Sequence, residues 1–176
     1  MNKKFIITGA PGTGKTSIIN ELMKQGYACA KEISRELISE QLAVGGKILP
    51  WENQIAFEEK IIQMRFKQYL DSLENCIYFF DRSIIDSIAY LKVSNLSSLS
   101  QQMNKLINSC IFNKTVFYTP IWEKIYVTDN ERKEGIQKAK EIETSIINTY
   151  ISYGYKMIRI PKVSVKKRTS FILSKI

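Results

Sequence analysis

The segment Gly9-Ala10-Pro11-Gly12-Thr13-Gly14-Lys15-Thr16 constrains this chain more than any other stretch. It fills every fixed position of the pattern G-x-x-x-x-G-K-[ST]. The apolar run Phe5-Ile6-Ile7 stands directly before it, and a helical pattern opens at Lys15. A strand, a glycine-rich loop and a helix in that order make an anion site. Glycine permits positive φ and close backbone approach. Successive N–H groups converge on one concavity, and the helix adds its unpaired amides and positive end. Lys15 can set an ammonium against the β- and γ-phosphates of a nucleotide. The Thr16 hydroxyl can hold Mg²⁺ beside them. The expected nucleotide contacts are Gly9, Ala10, Pro11, Gly12, Thr13, Gly14, Lys15, Thr16 and Ser17. A plain Gly/Pro turn would use the same residue types, but the filled motif and its flanks favour the phosphate loop.

The 176 residues suffice for one domain with its own core, so residues 1–176 are expected to form a single nucleotide-binding domain. Hydrophobic residues at 44% and charged residues at 24% exclude a disordered chain. No apolar run approaches a membrane span. The N-terminus runs straight into the first strand, so no signal peptide is expected. Cys29, Cys76 and Cys110 are scattered, without metal or disulfide spacing, and are expected to be reduced in a cytoplasm. The absence of histidine excludes imidazole acid–base chemistry, so carboxylates, lysines and arginines must carry any reaction. The formal net charge of +9 fits nucleic acid, an anionic membrane surface or a polyanionic small ligand. Apart from Lys166-Lys167-Arg168 the charge is spread out, and no nucleic-acid-binding signature accompanies it, which favours a solvated surface plus a phosphate site.

Apolar runs over 5–8, 27–30, 77–80, 115–118 and 155–160 read as strands, separated by helical stretches. Gly26, Gly45-Gly46 and Gly154 close three of the helices. A long helix is expected from Pro50-Trp51 to about Leu73, with Ile55, Ile62, Phe66, Tyr69 and Leu73 on one side. Alternating strands and helices predict an α/β fold with a parallel sheet, its ligands beyond the carboxyl ends of the strands.

Several candidate residues lie at those ends. Asp81 closes the run Ile77-Tyr78-Phe79-Phe80 and could hold Mg²⁺ together with Thr16. The following pair, Arg82-Ser83, matches the pattern of nucleoside and nucleotide kinases, in which the arginine contacts acceptor or phosphate; a structural Asp81–Arg82 ion-pair network is the alternative. Glu32 follows the second strand and could accept the proton of an attacking hydroxyl, with Arg35 one turn on. It could equally be a helix-start carboxylate favoured by the dipole. Trp51 could stack on a ring or anchor a helix start. Arg132, with Lys133, occupies the place of a cationic lid over a triphosphate, or is a solvated turn.

Taken in order, these motifs resemble the P-loop AAA-type ATPase/kinase family that includes the ribosylnicotinamide kinase domain of bacterial NAD-regulator proteins. The resemblance rests on Gly9 to Thr16, Gly26-Tyr27 with Glu32 to Arg35, and Leu49-Pro50-Trp51. It continues through Asp81-Arg82, Asp86 to Tyr90, Ile125-Tyr126 with Asp129 and Arg132, and Gly154-Tyr155 before Pro161. It departs from the family pattern at Ser83 and at Ile121. It implies a nucleoside-kinase-like fold of about five parallel strands with helices on both faces, and it implies ATP, the adenine lying near the 161–163 loop. Lys15, Glu32, Asp81, Arg82 and Arg132 then become the expected catalytic set. The expected activity is transfer of the γ-phosphate of ATP to a nucleoside-like or sugar-like hydroxyl. The rival is a nucleotide-dependent regulator acting on a protein partner. Its GTPase form is disfavoured because Asn104-Lys105-Leu106-Ile107 and Asn113-Lys114-Thr115-Val116 lack the Asp that reads guanine. Polyanion binding through Lys162, Lys166, Lys167 and Arg168 is a third reading.

Overall fold

The computed structural model describes residues 2–96, 99–123 and 135–176. In chain order these form β1 (Lys4–Thr8), α1 (Lys15–Lys24), β2 (Ala28–Ala30), α2 (Ser34–Ala43), α3 (Gln54–Leu70) and β3 (Tyr78–Asp81). Then come α4 (Ile84–Val93), α5 (Gln101–Ser109), β4 (Thr115–Tyr118), α6 (Ile136–Ser152), β5 (Lys156–Arg159) and α7 (Val165–Leu173). The five strands pair in parallel in the order β2-β3-β1-β4-β5. This is the expected P-loop, nucleoside-kinase-like α/β fold. The winding reverses at β1, so the loop after β1 opens into the crevice where such sheets bind ligands.

The inner strands β1, β3 and β4 are largely apolar on both faces because both are covered. Phe5, Ile7, Phe79 and Phe117 face α1 and α7 through Ile18, Ile19, Leu22 and Ile172. Ile6, Phe80 and Val116 face the other way, onto Ile62 of α3, Ile84 and Ala89 of α4, Met103 and Ile107 of α5, and Ile146 and Tyr150 of α6. A satellite cluster of Ile33, Leu37, Ile38, Leu49, Phe57 and Ile61 ties α2 to α3.

The long helix departs from its expected bounds. It begins at Gln54, where Asn53 Oδ1 accepts the N–H of Ala56 at 3.1 Å. An asparagine cap satisfies an open backbone donor, which Pro50-Trp51 cannot do. Those two residues form a turn instead, with the N–H groups of Glu52 and Asn53 both donating to Leu49 O. Leu73 falls beyond the helix end and is exposed. The face of α3 that turns inward carries Phe57, Glu58, Ile61, Ile62 and Arg65, so two ionisable side chains lie on a buried stripe.

Candidate active site

Tight turns at β1 build the loop. Gly9, Gly12 and Gly14 have φ of 140°, 75° and 83°. At Gly9 a Cβ would meet Thr119 O and Thr119 Oγ1, each at 2.5 Å, so the end of β4 closes the space behind the loop. Thr119 Oγ1 lies 2.6 Å from Thr13 Oγ1, and Thr13 Oγ1 donates to Ala10 O at 2.9 Å. Gly14 caps α1 without a side-chain bond, so the amides of the first helical turn face the loop. Lys15 Nζ curls back onto Gly9 O (3.0 Å) and Ala10 O (2.8 Å) and is buried. Burial and then the Arg82 charge push its pKa down, against the pull of Asp81, Asp86 and Glu32.

The end of β3 supplies the second wall. Asp81 is 3% exposed; its Oδ2 accepts a long bond from Thr16 Oγ1 at 3.4 Å, and its Oδ1 has no partner. Burial raises its pKa although Lys15 and Arg82 oppose this. A buried carboxylate oxygen left open beside a threonine hydroxyl fits a hard cation such as Mg²⁺, directly or through water. Among the described residues no cluster of three or more Cys, Asp or Glu could hold a metal alone, and a nucleotide-borne Mg²⁺ needs none.

Arg82 adopts φ 72°, a left-handed backbone that costs a non-glycine residue about 1–2 kcal/mol. Asp86 holds it there. Arg82 Nη1 donates to Asp86 Oδ1 at 3.2 Å, and the guanidinium carbon lies 5.4 Å from the centre of the Tyr90 ring. Asp86 also accepts from Thr8 Oγ1, from Ser83 N at 2.9 Å and from Tyr150 OH at 2.5 Å. Ser83 Oγ accepts from Ile85 N at 3.1 Å, which completes a capping box on α4. Burial alone would raise the Asp86 carboxyl; Arg82, Arg65 and the bonds from Thr8 and Tyr150 outweigh it and hold it below the usual range.

Glu32 is the helix-start carboxylate of one expected reading, and it also faces the cavity. Its carboxylate accepts from Ser34 N at 2.7 Å and Arg35 N at 3.4 Å, capping α2. Burial works to raise its pKa, but Arg82, the Ser34 bonds and Arg65 together lower it, so Glu32 is ionised at neutral pH.

Between these elements lies a cavity of about 670 Å³. Pro11, Gly12, Gly14, Lys15, Thr16, Ser17, Glu32, Arg35 and Arg82 all reach it. Gly9, Ala10, Thr13 and Asp81 stand behind that lining as support. Arg132 and Lys133 lie outside the described residues, as do Ile125, Tyr126 and Asp129. Trp51 is 45% exposed and does not line the cavity; its neighbour Pro50 does. The cluster Lys166-Lys167-Arg168 divides: both lysines are exposed, while Arg168 turns inward to the cavity with Nη1 3.5 Å from Thr13 O.

Glu58 and Arg65 were missed by pattern reading. Burial pushes Glu58 up to about 7, against the Ser87 bond and the charges of Arg65 and Arg82. The folded form therefore keeps a proton that the unfolded chain loses near pH 4.5. This contribution to stability is full at low pH and falls as pH rises from about 4.5 to about 7. Asp81 shifts in the same direction. The expected result is a melting midpoint that drops across this window. Glu58→Gln should lessen the drop, a difference on the order of 1–3 kcal/mol read by melts at each pH. Equal slopes in both proteins would refute the assignment.

Comparison with known proteins fixes the family. The model of an AAA domain matches residues 4–168. The chain belongs to this AAA-domain family. Among solved structures, this AAA domain superposes on deoxyadenosine kinase from M. mycoides with a TM-score of 0.69 at 23% identity, covering 98% of this chain and 97% of that one. On the NadR protein in complex with NR the TM-score is 0.77 at 16% identity, covering 98% of this chain and 50% of that one. A curated relative, deoxyribose-phosphate aldolase of Lactobacillus acidophilus, is 26% identical over 138 residues, 78% of this chain. The AAA domain spans about half of that relative's length, 55%.

Proposed function

We propose that this AAA domain is an ATP-dependent small-molecule kinase, moving the γ-phosphate of ATP to a hydroxyl of a nucleoside-like or sugar-like acceptor. One observation carries the reading. A single cavity runs from the phosphate loop, at Lys15 and Thr16, to a wall of α2, α3 and α4 side chains with room for a second small molecule. A switch that only hydrolyses nucleotide needs no such space. The neighbours support the reading by their contents: a deoxyadenosine kinase structure holds dCMP and dCDP, and a NadR structure holds NAD and AMP-PNP.

Phosphoryl transfer depends mainly on positioning and charge neutralisation. The loop amides and Lys15 would hold the donor phosphates. Thr16 and Asp81 would hold Mg²⁺, which supplies charge neutralisation at the β- and γ-oxygens. Glu32, anchored by two backbone amides, would accept the hydrogen bond of the acceptor hydroxyl and aim its oxygen. Its lowered pKa suits orientation better than strong basicity, and a loose transition state asks for little basicity. Arg82, fixed by Asp86, would stabilise charge on the transferring group.

The test is a screen of nucleosides, ribosides and sugars for acceptor-dependent ADP release, with product mass confirmed. One acceptor class should speed release well above the idle rate. If no acceptor stimulates release while a protein partner does, the chain is a nucleotide-dependent regulator and the kinase reading fails.

A further inference from the structure

The phosphate loop occupies one end of the sheet, and the other end is built differently. All five strands are parallel, so their first residues lie together, away from the cavity. The C-terminal ends of α1, α3, α5 and α6, which lead into β2, β3, β4 and β5, lie there too. Backbone and amide bonds tie this end into one surface. Tyr78 N donates to Lys3 O at 2.9 Å, and Lys156 N to Lys114 O at 2.7 Å. Asn2 Nδ2 donates to Ile111 O at 2.7 Å, and Asn113 Nδ2 to Asn2 O at 2.6 Å. The starts of β3, β1, β4 and β5 thus adjoin, ~14 Å across at the usual strand spacing.

Apolar side chains project from this end. Leu70, Leu73, Ile111 and Ile151 are each more than half exposed, and Tyr153 is exposed beside the start of β5. Single exposed apolar residues are ordinary. Their segregation is not: away from this end, the large exposed apolar side chains among the described residues are Leu42, Val44 and Trp51, all around the α2–α3 connection. Lysines stand between them. Lys3, Lys24, Lys67, Lys114 and Lys156 are exposed here, against the acids Asp71, Glu74 and, higher on α1, Glu21. Lys24 and Lys67 lie in last helical turns, where a cation complements the helix dipole. That account covers neither Lys3, Lys114 and Lys156 nor the aliphatic tips.

Lysines with aliphatic tips between them match an anionic bilayer. The ammonium groups meet lipid headgroup charge, and the tips enter the boundary between headgroups and acyl chains. Two other occupants fit worse. Single-stranded nucleic acid is gripped by arginine and by stacked rings. The exposed Arg159 lies at the far end of β5, and Leu and Ile cannot stack. A second copy docked end to end would set like charge against like charge. We propose that the end of the sheet opposite the phosphate loop docks on an anionic lipid surface, with Leu73 and Ile111 entering the interface and Lys3, Lys114 and Lys156 facing the headgroups. The cavity then opens away from the lipid, whichever nucleotide reaction it carries out.

Vesicle flotation of the full chain tests this. Vesicles of phosphatidylserine and phosphatidylcholine at about three to seven should bind it roughly tenfold or more tighter than phosphatidylcholine alone, and added salt should shrink the difference. Lys114→Glu with Lys156→Glu should weaken that binding about tenfold or more. Leu73→Ser with Ile111→Ser should weaken it about threefold or more. Both double variants change exposed residues outside the cavity lining, so ATP affinity should stay within about twofold. Lys166→Glu with Lys167→Glu makes the same charge change in the first turn of α7, at the cavity end, and should leave vesicle binding within about threefold of the wild type. The contrast between the two lipids needs no variant, so a variant that fails to fold leaves the test intact. Equal binding to both vesicles, an equal loss in the α7 variant, or no loss in the folded Leu73→Ser, Ile111→Ser protein overturns the proposal. So does single-stranded RNA that outcompetes anionic vesicles for the chain, which would make the face a nucleic-acid site. A dimer in solution that Leu73→Ser with Ile111→Ser dissolves would assign the face to a second copy and overturn it as well.

Discussion

Glu32→Gln should bind ATP-Mg²⁺ within about twofold of the wild type and transfer phosphate slower by ~10²- to 10⁴-fold. The substitution keeps size and leaves one carbonyl oxygen to cap α2 in place of the two carboxylate oxygens on Ser34 and Arg35. The fold should therefore persist. What disappears is the negative charge beside Arg82 and Arg65 that, in the proposed role, would take the hydrogen bond of the acceptor hydroxyl and aim its oxygen. Affinity by calorimetry and turnover by acceptor-dependent ADP release separate the two effects. A Glu32→Gln protein with full transfer activity would shift the role to Asp81, the other carboxylate at the phosphate end. A protein that loses ATP affinity as well would mean that Glu32 acts mainly by holding the loop region together.

Lys15→Ala is expected to weaken ATP-Mg²⁺ binding by at least about tenfold, a change of ~1.4 kcal/mol, and to slow transfer further. Its effect on folding should run the other way. Lys15 is buried and its pKa is pushed down, so its charge is held in the fold at a cost. Its two bonds go to Gly9 O and Ala10 O behind the cavity lining, and the space the side chain would leave adjoins the cavity, so water can replace them. The melting midpoint should thus hold or rise while binding collapses. Unchanged ATP affinity in a folded Lys15→Ala protein would remove the phosphate-loop assignment.

The elements that proved legible in the sequence share a physical cause. A strand covered on both faces must be apolar throughout, so Phe5-Ile6-Ile7 and Tyr78-Phe79-Phe80 stand out. A backbone that closes on phosphate demands glycine at fixed spacing, so the loop is read directly. Asp81 and Arg82 are visible because they interrupt an apolar run at its end. Glu58 and Arg65 are hidden by the opposite circumstance. On a helix with many charges, two more look like part of the wet side, and the apolar set Ile55, Phe66 and Tyr69 draws the face off its true axis. Only the neighbours Phe57, Ile61 and Ile62 mark them as inward. Arg168 is hidden similarly. Three adjacent cations point about 100° apart on a helix, and sequence does not say which one reaches the core. The start of α3 was misplaced because a Trp after a Pro resembles an anchor, while the cap two residues on makes the stronger contact.

The junction at Asp86 bears on how such a protein could be retuned. One carboxylate starts α4, tethers α6 through Tyr150, joins β1 through Thr8 and sets the angle of Arg82. With Arg82 in its proposed role, stability and rate would be inherited together at this point, and a mutational search that passes through it would have to solve both problems at once. A laboratory lineage selected for a new acceptor should therefore leave Thr8, Ser83, Asp86 and Tyr150 untouched and change elsewhere along the cavity wall.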